Sequence, residues 1–190
     1  DVTEDYSVGI VSPNGRQAMI DYARDLKAKG VLTVVDPGQG LPILDKDDLL
    51  TALTGAAIYI VNEYEWEMTR EKTGLDEDGI ADLVGALIVT RGAEGSLLRR
   101  GGLDAGLMIE SDRSEIPPIE AAVVVDPTGC GDSYRAGLLY GISNGLSIET
   151  ATKLGSLMGA LNVERSGPQG IELDHAAIRE QYQKAYGEGF

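Results

Sequence analysis

The chain has 190 residues, 43% hydrophobic and 25% charged, with 31 acidic against 16 basic side chains and a formal net charge of −15. That length suits one well-buried domain and is short for two, while the acidity disfavours nucleic acid and anionic lipid as partners. The single cysteine, Cys130, excludes an internal disulfide, and apolar stretches such as Ala121–Val125 are far too short to span a bilayer. Asp1–Asp5 lacks the basic and apolar regions of a signal peptide, so the cytoplasm is the expected compartment.

Val8–Ser12 predicts a strand, turned by Ser12-Pro13-Asn14-Gly15. Met19, Tyr22, Ala23 and Leu26 recur at helical spacing until Gly30 supplies a stop. Leu32–Asp36 is the next strand, closed by Pro37-Gly38. Asp47–Thr54 reads as helix, Ile58–Val61 as strand, and Asn62 as the cap of a helix carrying Tyr64, Glu65, Trp66 and Met68. Asp78–Val84 is a shorter helix feeding the strand Leu87–Thr90. Ser96–Arg99 and Gly106–Glu110 read as antiparallel strands joined at Gly101-Gly102. Val123–Val125 reads as a buried strand ending at Asp126-Pro127, and helical patterns over Asp132–Asn144, Ile148–Glu164 and Asp174–Tyr186 finish the chain. Strands alternating with helices predict an α/β fold, a mostly parallel sheet covered by helices on both faces, in which ligands bind beyond the C-terminal strand ends. Trp66 and Met68 are expected to pack on the sheet, His175 to lie at the surface, and Lys27 and Lys29 to complement the dipole of the helix they close.

The most informative segment is Asp126-Pro127-Thr128-Gly129-Cys130-Gly131-Asp132, placed between the expected strand and a helix. Gly129 and Gly131 let the backbone turn sharply, and its N–H groups lie at a helix N-terminus, where orphan donors and the dipole favour an anion. A transferring phosphoryl group suits that position, and Asp132 is placed to accept a proton from an attacking hydroxyl. Taken alone, Gly-x-Gly-Asp also reads as a tight turn with an aspartate cap. Ala136, Gly137 and Gly141 follow on the helix and would let it approach the sheet closely. A Walker A loop is excluded because no Gly-Lys dipeptide occurs. A dinucleotide fingerprint beginning at Gly129 would need Gly or Ala at position 134, where Tyr134 stands.

The run from Asp126 to Gly137 resembles the C-terminal signature of the PfkB/ribokinase family, commonly Asp-Thr-x-Gly-Ala-Gly-Asp-x-Phe followed by Ala-Gly. Cys130 stands for the usual Ala or Gly and Tyr134 for the usual Phe. Asn62-Glu63-Tyr64-Glu65 resembles the family's Asn-x-x-Glu, and Thr90-Arg91-Gly92-Ala93-Glu94-Gly95 its Thr-x-Gly-x-x-Gly. The resemblance implies that Asn62, Glu65, Thr90, Gly92 and Gly95 serve the nucleotide, with Glu65 helping to hold Mg²⁺ through water. Without it, Asn62 and Glu65 read as a helix cap and a solvated residue, and the glycine loop as a strand-to-strand turn. Arg165-Ser166-Gly167-Pro168-Gln169 resembles the family's Arg-x-Gly-Ala-Gln, which implies a monovalent cation near Asp126, Thr128 and Gly167. Ser156 aligns where relatives place Asn or His near the adenine.

The implied fold is ribokinase-like. The implied reaction is ATP-dependent phosphorylation of a hydroxyl on a small sugar or related polyol, with Asp132 as base and the amides of Gly129, Cys130 and Gly131 on the developing charge. An adenosine-like nucleoside as acceptor, or a truncated nucleotide-binding domain without turnover, are the alternatives. Asp36-Pro37-Gly38-Gln39 and Ser12–Asn14 lie at other strand ends and are expected to approach the acceptor or the phosphates. The family's first Gly-Gly signature, substrate-gripping aspartate and β lid find no match. Residues 1–190 therefore read as the nucleotide-binding and catalytic α/β domain, incomplete at the N-terminus, and alone are expected to bind nucleotide weakly and catalyse poorly.

Overall fold

The computed structural model describes residues 6–171 and 174–190, so Asp1–Asp5 and the absence of a leader read there lie outside the described residues. The chain divides into two compact units, Asp1–Arg91 with Leu97–Leu107 and Ser111–Ser114, and Gly92–Ser96 with Met108–Glu110 and Glu115–Phe190.

In the first unit, β1 (Val8–Val11), α1 (Arg16–Ala28), β2 (Leu32–Val35), α2 (Lys46–Leu53), β3 (Ala56–Asn62), α3 (Glu63–Thr73), α4 (Glu77–Ala81) and β4 (Val84–Thr90) alternate as expected. With β5 (Ser96–Arg100) and β6 (Arg113–Ile116) they complete a six-stranded sheet in simple sequential order. The first four strands are parallel, in a register that pairs Val11 with Val35, Val35 with Tyr59, and Asn62 with Thr90. The connection over 91–95 is too short for a parallel crossover, so β5 runs antiparallel and the sheet is mixed.

Strands added in one direction with right-handed crossovers put their helices on one face. The packing agrees. Met19, Ala23 and Leu26 of α1, Leu49, Ala52 and Leu53 of α2, and Ile80 of α4 share a core with Val11, Val35, Tyr59, Val61, Leu87 and Val89. Trp66 and Met68 pack against it, as the helical spacing implied. Val34, Ile58, Ile60, Ala86 and Ile88, which point the other way, are fully buried too. Burial on both faces is why these strands read as unbroken apolar runs rather than alternating ones.

Local chemistry sets the helix starts. Asp45 and Asp48 each accept the other's backbone N–H at 3.0 Å, a capping box that opens α2, and Arg16 reaches both carboxylates. Lys27 serves a different helix from the one it closes. Its ammonium donates to the carbonyls of Thr51, Ala52 and Thr54 at 2.8, 3.0 and 2.8 Å, so it neutralises the negative end of α2. Val84, expected in a helix, belongs to β4, because Asp76 caps α4 early and the helix ends at Ala81.

Two expected strands are corrected. Gly106–Glu110 is not a strand, and β6 (Arg113–Ile116) takes its place in the sheet. Gly106 sits at φ +71, and its N–H is taken by the Asp104 carboxylate. Met108 and Glu110 turn to the start of α6 (Ile148–Val163) instead. The Met108 carbonyl accepts Ile148 N–H at 2.8 Å, and the Glu110 N–H meets the Glu149 carboxylate at 3.0 Å. Val123–Val125 is neither a strand nor buried: its side chains are 54%, 72% and 54% exposed. The N–H groups of Val125 and Asp126 both go to the Val163 carbonyl at the end of α6, so a helix terminus satisfies backbone that was expected to meet a neighbouring strand.

The second unit carries α5 (Cys130–Ser143), α6 and α7 (His175–Tyr186). Ser147 caps α6 by accepting Thr150 N–H, and Asp174 caps α7. Gly137 and Gly141 serve a helix contact, not the sheet approach expected of them. A Cβ on Gly137 would lie 2.8 Å from the Leu154 carbonyl oxygen, and one on Gly141 2.6 Å from the Ala151 Cβ. His175 is exposed, as anticipated, with its ring 5.8 Å from that of Tyr140.

Tyr134 on α5 is buried, and its hydroxyl lies 2.9 Å from that of Ser96, itself 1% exposed. Burial pushes the phenol upward, so it stays neutral and able to share this bond. Tyr134→Phe leaves the Ser96 hydroxyl buried without a partner and is expected to lose about 1–2 kcal/mol. Adding Ser96→Ala should recover most of it, which urea unfolding of the two single variants and the double variant checks.

Candidate active site

In the first unit the motif residues stand at the C-terminal ends of parallel strands. Asn62 ends β3 and Thr90 ends β4, directly opposite in register, so the starts of the two motifs are neighbours. Asn62 and Glu65 form a second capping box. The Asn62 side chain accepts Glu65 N–H at 2.9 Å, and the Glu65 carboxylate accepts Asn62 N–H at 2.8 Å. Glu65 is thus not the solvated residue its sequence position alone suggested, but is 9% exposed, with one carboxylate oxygen committed to the backbone. Among the described residues the Thr90 hydroxyl makes only a long contact, 3.4 Å, to the Val61 carbonyl.

The ends of β1 and β2 meet in the same unit. Asp36 N–H donates to the Val11 carbonyl at 2.9 Å, and the Asp36 side chain is 4% exposed. A Cβ on Gly38 would lie 2.7 Å from Pro13 Cγ, so the Asp36–Gln39 and Ser12–Asn14 turns are in contact.

Gly92 and Gly95 fall in the second unit. Both have positive φ, +55 and +87, but only Gly95 is also hemmed in. A Cβ there would sit 2.1 Å from the Ile116 carbonyl oxygen. The loop is therefore shaped by backbone contacts, and Gly95 cannot carry a side chain.

The same unit holds the glycine turn. No strand precedes it, contrary to expectation, and α5 starts two residues earlier than Asp132, at Cys130. Gly129 is the N-cap, with φ +80 and ψ 2, and a Cβ there would meet Pro168 Cβ at 2.5 Å. Gly131 is different: its backbone is helical, and the space where its Cβ would go faces the movable Arg135 guanidinium at 2.8 Å. Gly129 is needed for conformation and Gly131 only for room.

With Gly129 as cap, Asp132 occupies the first turn of α5 and caps nothing. Its side chain is exposed, and among the described residues no hydrogen bond or ion pair engages the carboxylate. Cys130 N–H donates to the Pro127 carbonyl at a long 3.2 Å, whereas the amides of Gly129 and Gly131 have no acceptor among the described residues. An ionisable group and unclaimed donors at a positive helix end stand within one turn. Ser156 lies half-buried on α6.

The Asp126 carboxylate accepts Thr128 N–H at 2.9 Å and Gly167 N–H at 3.0 Å, and these donors hold it below the usual carboxylate range. The structure thereby brings Asp126, Thr128 and Gly167 together. Asn162, which the sequence reading passed over, is fully buried on α6. Its side chain joins the Thr128 carbonyl at 2.8 Å and the Ser133 hydroxyl at 3.1 Å. The available signal was a primary amide inside an otherwise apolar or small helical run, Leu157–Val163.

A mixed α/β sheet with motif residues at its strand ends, together with a glycine turn that opens a helix beside a free carboxylate, defines the ribokinase-like class. The chain belongs to the pfkB carbohydrate kinase family, whose profile matches residues 5–175. The structure of Burkholderia thailandensis nucleoside kinase in complex with inosine is 40% identical, with a TM-score of 0.91 over 100% of this chain and 60% of that one. A nucleoside kinase of Methanocaldococcus jannaschii is 35% identical over 138 residues, 73% of this chain and 43% of the relative. Arabidopsis thaliana ribokinase complexed with ribose and ATP shares the fold at TM-score 0.74 and 20% identity, over 93% of this chain and 56% of that one. The chain thus spans about half the length of the relatives it matches. Among the described residues no helix is long and apolar enough to cross a membrane.

Proposed function

We propose that residues 1–190 form the nucleotide-binding and catalytic part of an ATP-dependent kinase that phosphorylates a hydroxyl of a nucleoside. The observation that carries the reaction class is the turn itself, with unclaimed amides at Gly129 and Gly131 and an unpartnered carboxylate at Asp132 in the first turn of one helix. A nucleoside is favoured over a sugar or polyol because the 40% identical structure is a nucleoside kinase with inosine bound, whereas the ribokinase likeness stops at the fold.

Asp132 holds the acceptor hydroxyl and takes its proton as the oxygen attacks phosphorus. The amides of Gly129 and Gly131, joined by the Cys130 N–H as it leaves its long bond to the Pro127 carbonyl, donate to the phosphoryl oxygens as charge spreads over them. Asn62, Thr90, Gly92 and Gly95 line the nucleotide. ATP supplies the γ-phosphoryl group, whose bond to the bridging oxygen breaks as the new one forms so that ADP leaves, and Mg²⁺ when bound would offset charge on the phosphates.

The described residues fit such an ion held chiefly by ligands other than protein side chains. Among the described residues no group of three or more His, Cys, Asp or Glu could hold a metal, and Glu65 already gives one oxygen to Asn62 N–H. That donor set suits Mg²⁺ held chiefly by phosphates and water, with Glu65 reaching it through water. A monovalent cation beside Asp126, Thr128 and Gly167, and a cytoplasmic setting that supplies ATP, complete the reading.

The test is a comparison of acceptors with the full natural protein, ATP and Mg²⁺, in potassium and in sodium buffers. Inosine or adenosine is expected to exceed ribose and fructose in kcat/KM by on the order of 10⁴-fold, since a site that hydrogen-bonds a base rejects an acceptor lacking one. A sugar preferred over every nucleoside would overturn the acceptor class while leaving phosphoryl transfer standing.

A further inference from the structure

Asn162 lies in the last turn of α6 and is fully buried, the one amide in the otherwise apolar or small run Leu157–Val163. An amide taken out of water in such surroundings is retained only where its hydrogen bonds are met. Here they are met by the two flanks of the glycine turn. The Asn162 Nδ2 donates to the Thr128 carbonyl at 2.8 Å, and its Oδ1 accepts from the Ser133 hydroxyl at 3.1 Å. Thr128 immediately precedes Gly129, and Ser133 immediately follows Asp132. One side chain therefore spans the whole of Gly129–Asp132.

The support behind it is stiff. α6 is held against α5 at backbone distance, with the site of a Gly155 Cβ 2.8 Å from the Tyr134 carbonyl oxygen. On its other side the turn is tied by the Asp126 carboxylate to Thr128 and Gly167. The left-handed Gly129 would otherwise leave the turn free to swing about its most permissive residue.

We infer that Asn162 is a positioning residue for the proposed reaction: it touches no substrate, and clamps both flanks of the turn so that the Gly129–Gly131 amides and the Asp132 carboxylate keep one mutual geometry. The inference rests on the reading of that turn as the catalytic centre. A displacement near 1 Å at a reacting group is worth about 10²-fold in rate, so a clamp on the turn should be felt in kcat rather than in nucleotide affinity.

Asn162→Leu keeps the branched shape and removes the amide, and Ser133→Ala removes one of the two bonds without altering α6. Both are compared with wild type in the full natural protein for kcat, KM for ATP, and amide hydrogen exchange of Gly129–Ser133. Asn162→Leu is expected to lower kcat by about 10–100-fold with KM for ATP changed less than about threefold, and Ser133→Ala to lower kcat by a few-fold. Exchange should quicken in Gly129–Ser133 more than in β3 or β4. A kcat within about twofold of wild type in Ser133→Ala and in folded Asn162→Leu would overturn the clamp, as would exchange that quickens uniformly over the chain. If wild type phosphorylates neither nucleoside nor sugar, the functional reading falls, and the exchange measurement still decides whether Asn162 holds the turn.

Discussion

Asp132→Asn is expected to lower kcat by about 10²–10⁴-fold, the usual contribution of a positioned general base. The substitution is nearly isosteric, and an asparagine in the first helical turn donates and accepts hydrogen bonds but does not take up the acceptor's proton at neutral pH. Asp132 caps nothing, and among the described residues no bond or ion pair holds its carboxylate, so little else is lost with it. The favourable interaction of a negative charge with the start of α5 amounts to about 0.3–1 kcal/mol, which sets the expected drop in stability. Steady-state kinetics alongside thermal melting separates the two effects. Retention of more than about a tenth of wild-type kcat would remove Asp132 from the role of base, because it falls short of the smallest loss general-base catalysis predicts.

Gly129→Ala should be the most damaging small substitution in the Gly129–Asp132 turn. A left-handed conformation costs a non-glycine residue about 1–2 kcal/mol, and at φ +80 Gly129 demands it. The new methyl would also lie 2.5 Å from Pro168 Cβ and 2.8 Å from Pro168 Cα. That conflict with a ring and its backbone adds about 1–3 kcal/mol. A total of about 2–5 kcal/mol is expected in chemical denaturation, with kcat reduced about 10²-fold as the amides shift. Gly131→Ala, two residues along the chain, is the comparison. Its backbone is helical and its nearest neighbour is the end of the Arg135 side chain, so its stability should change by less than about 1 kcal/mol. Equal destabilisation at both positions would show that left-handed geometry is not what Gly129 supplies.

Much of the site was legible in the order of residues along the chain. The Gly129–Asp132 turn opening a helix and the Asn62 cap follow from local rules, because a helix start is set by the few residues whose N–H groups it must satisfy. The same locality explains why the β1–β4 alternation with α1–α4 was recovered almost element by element. Glu65 shows the limit of that reasoning. By itself it read as a solvated residue, and the family resemblance alone implied a carboxylate near Mg²⁺; the reciprocal capping box with Asn62 is a role neither reading gave it.

Errors arose wherever a segment had to choose a distant partner. Val123–Val125 has the composition of a buried strand, yet its backbone N–H groups go to the end of α6 and its side chains face outward. Gly106–Glu110 could have paired with β5, but Met108 and Glu110 are drawn to the start of α6, and Arg113–Ile116 takes the edge. Gly137 and Gly141 were correctly read as close-approach positions, though what approaches them is α6 and not the sheet. Asn162 stands 30 residues beyond Asp132, and nothing in its own helix announces the turn it bridges.

By itself, then, the sequence determined much of the local chemistry of this protein: most helix starts, a sharp glycine turn, the carboxylate beside it, and the family to which these motifs point. Tertiary structure alone decided which backbone groups are paired, which carboxylates are free and what braces the turn. The physical reason is that capping and turn formation are settled within about four residues. The partner of a buried amide or of an extended segment, by contrast, is settled only when remote parts of the chain compete to satisfy it.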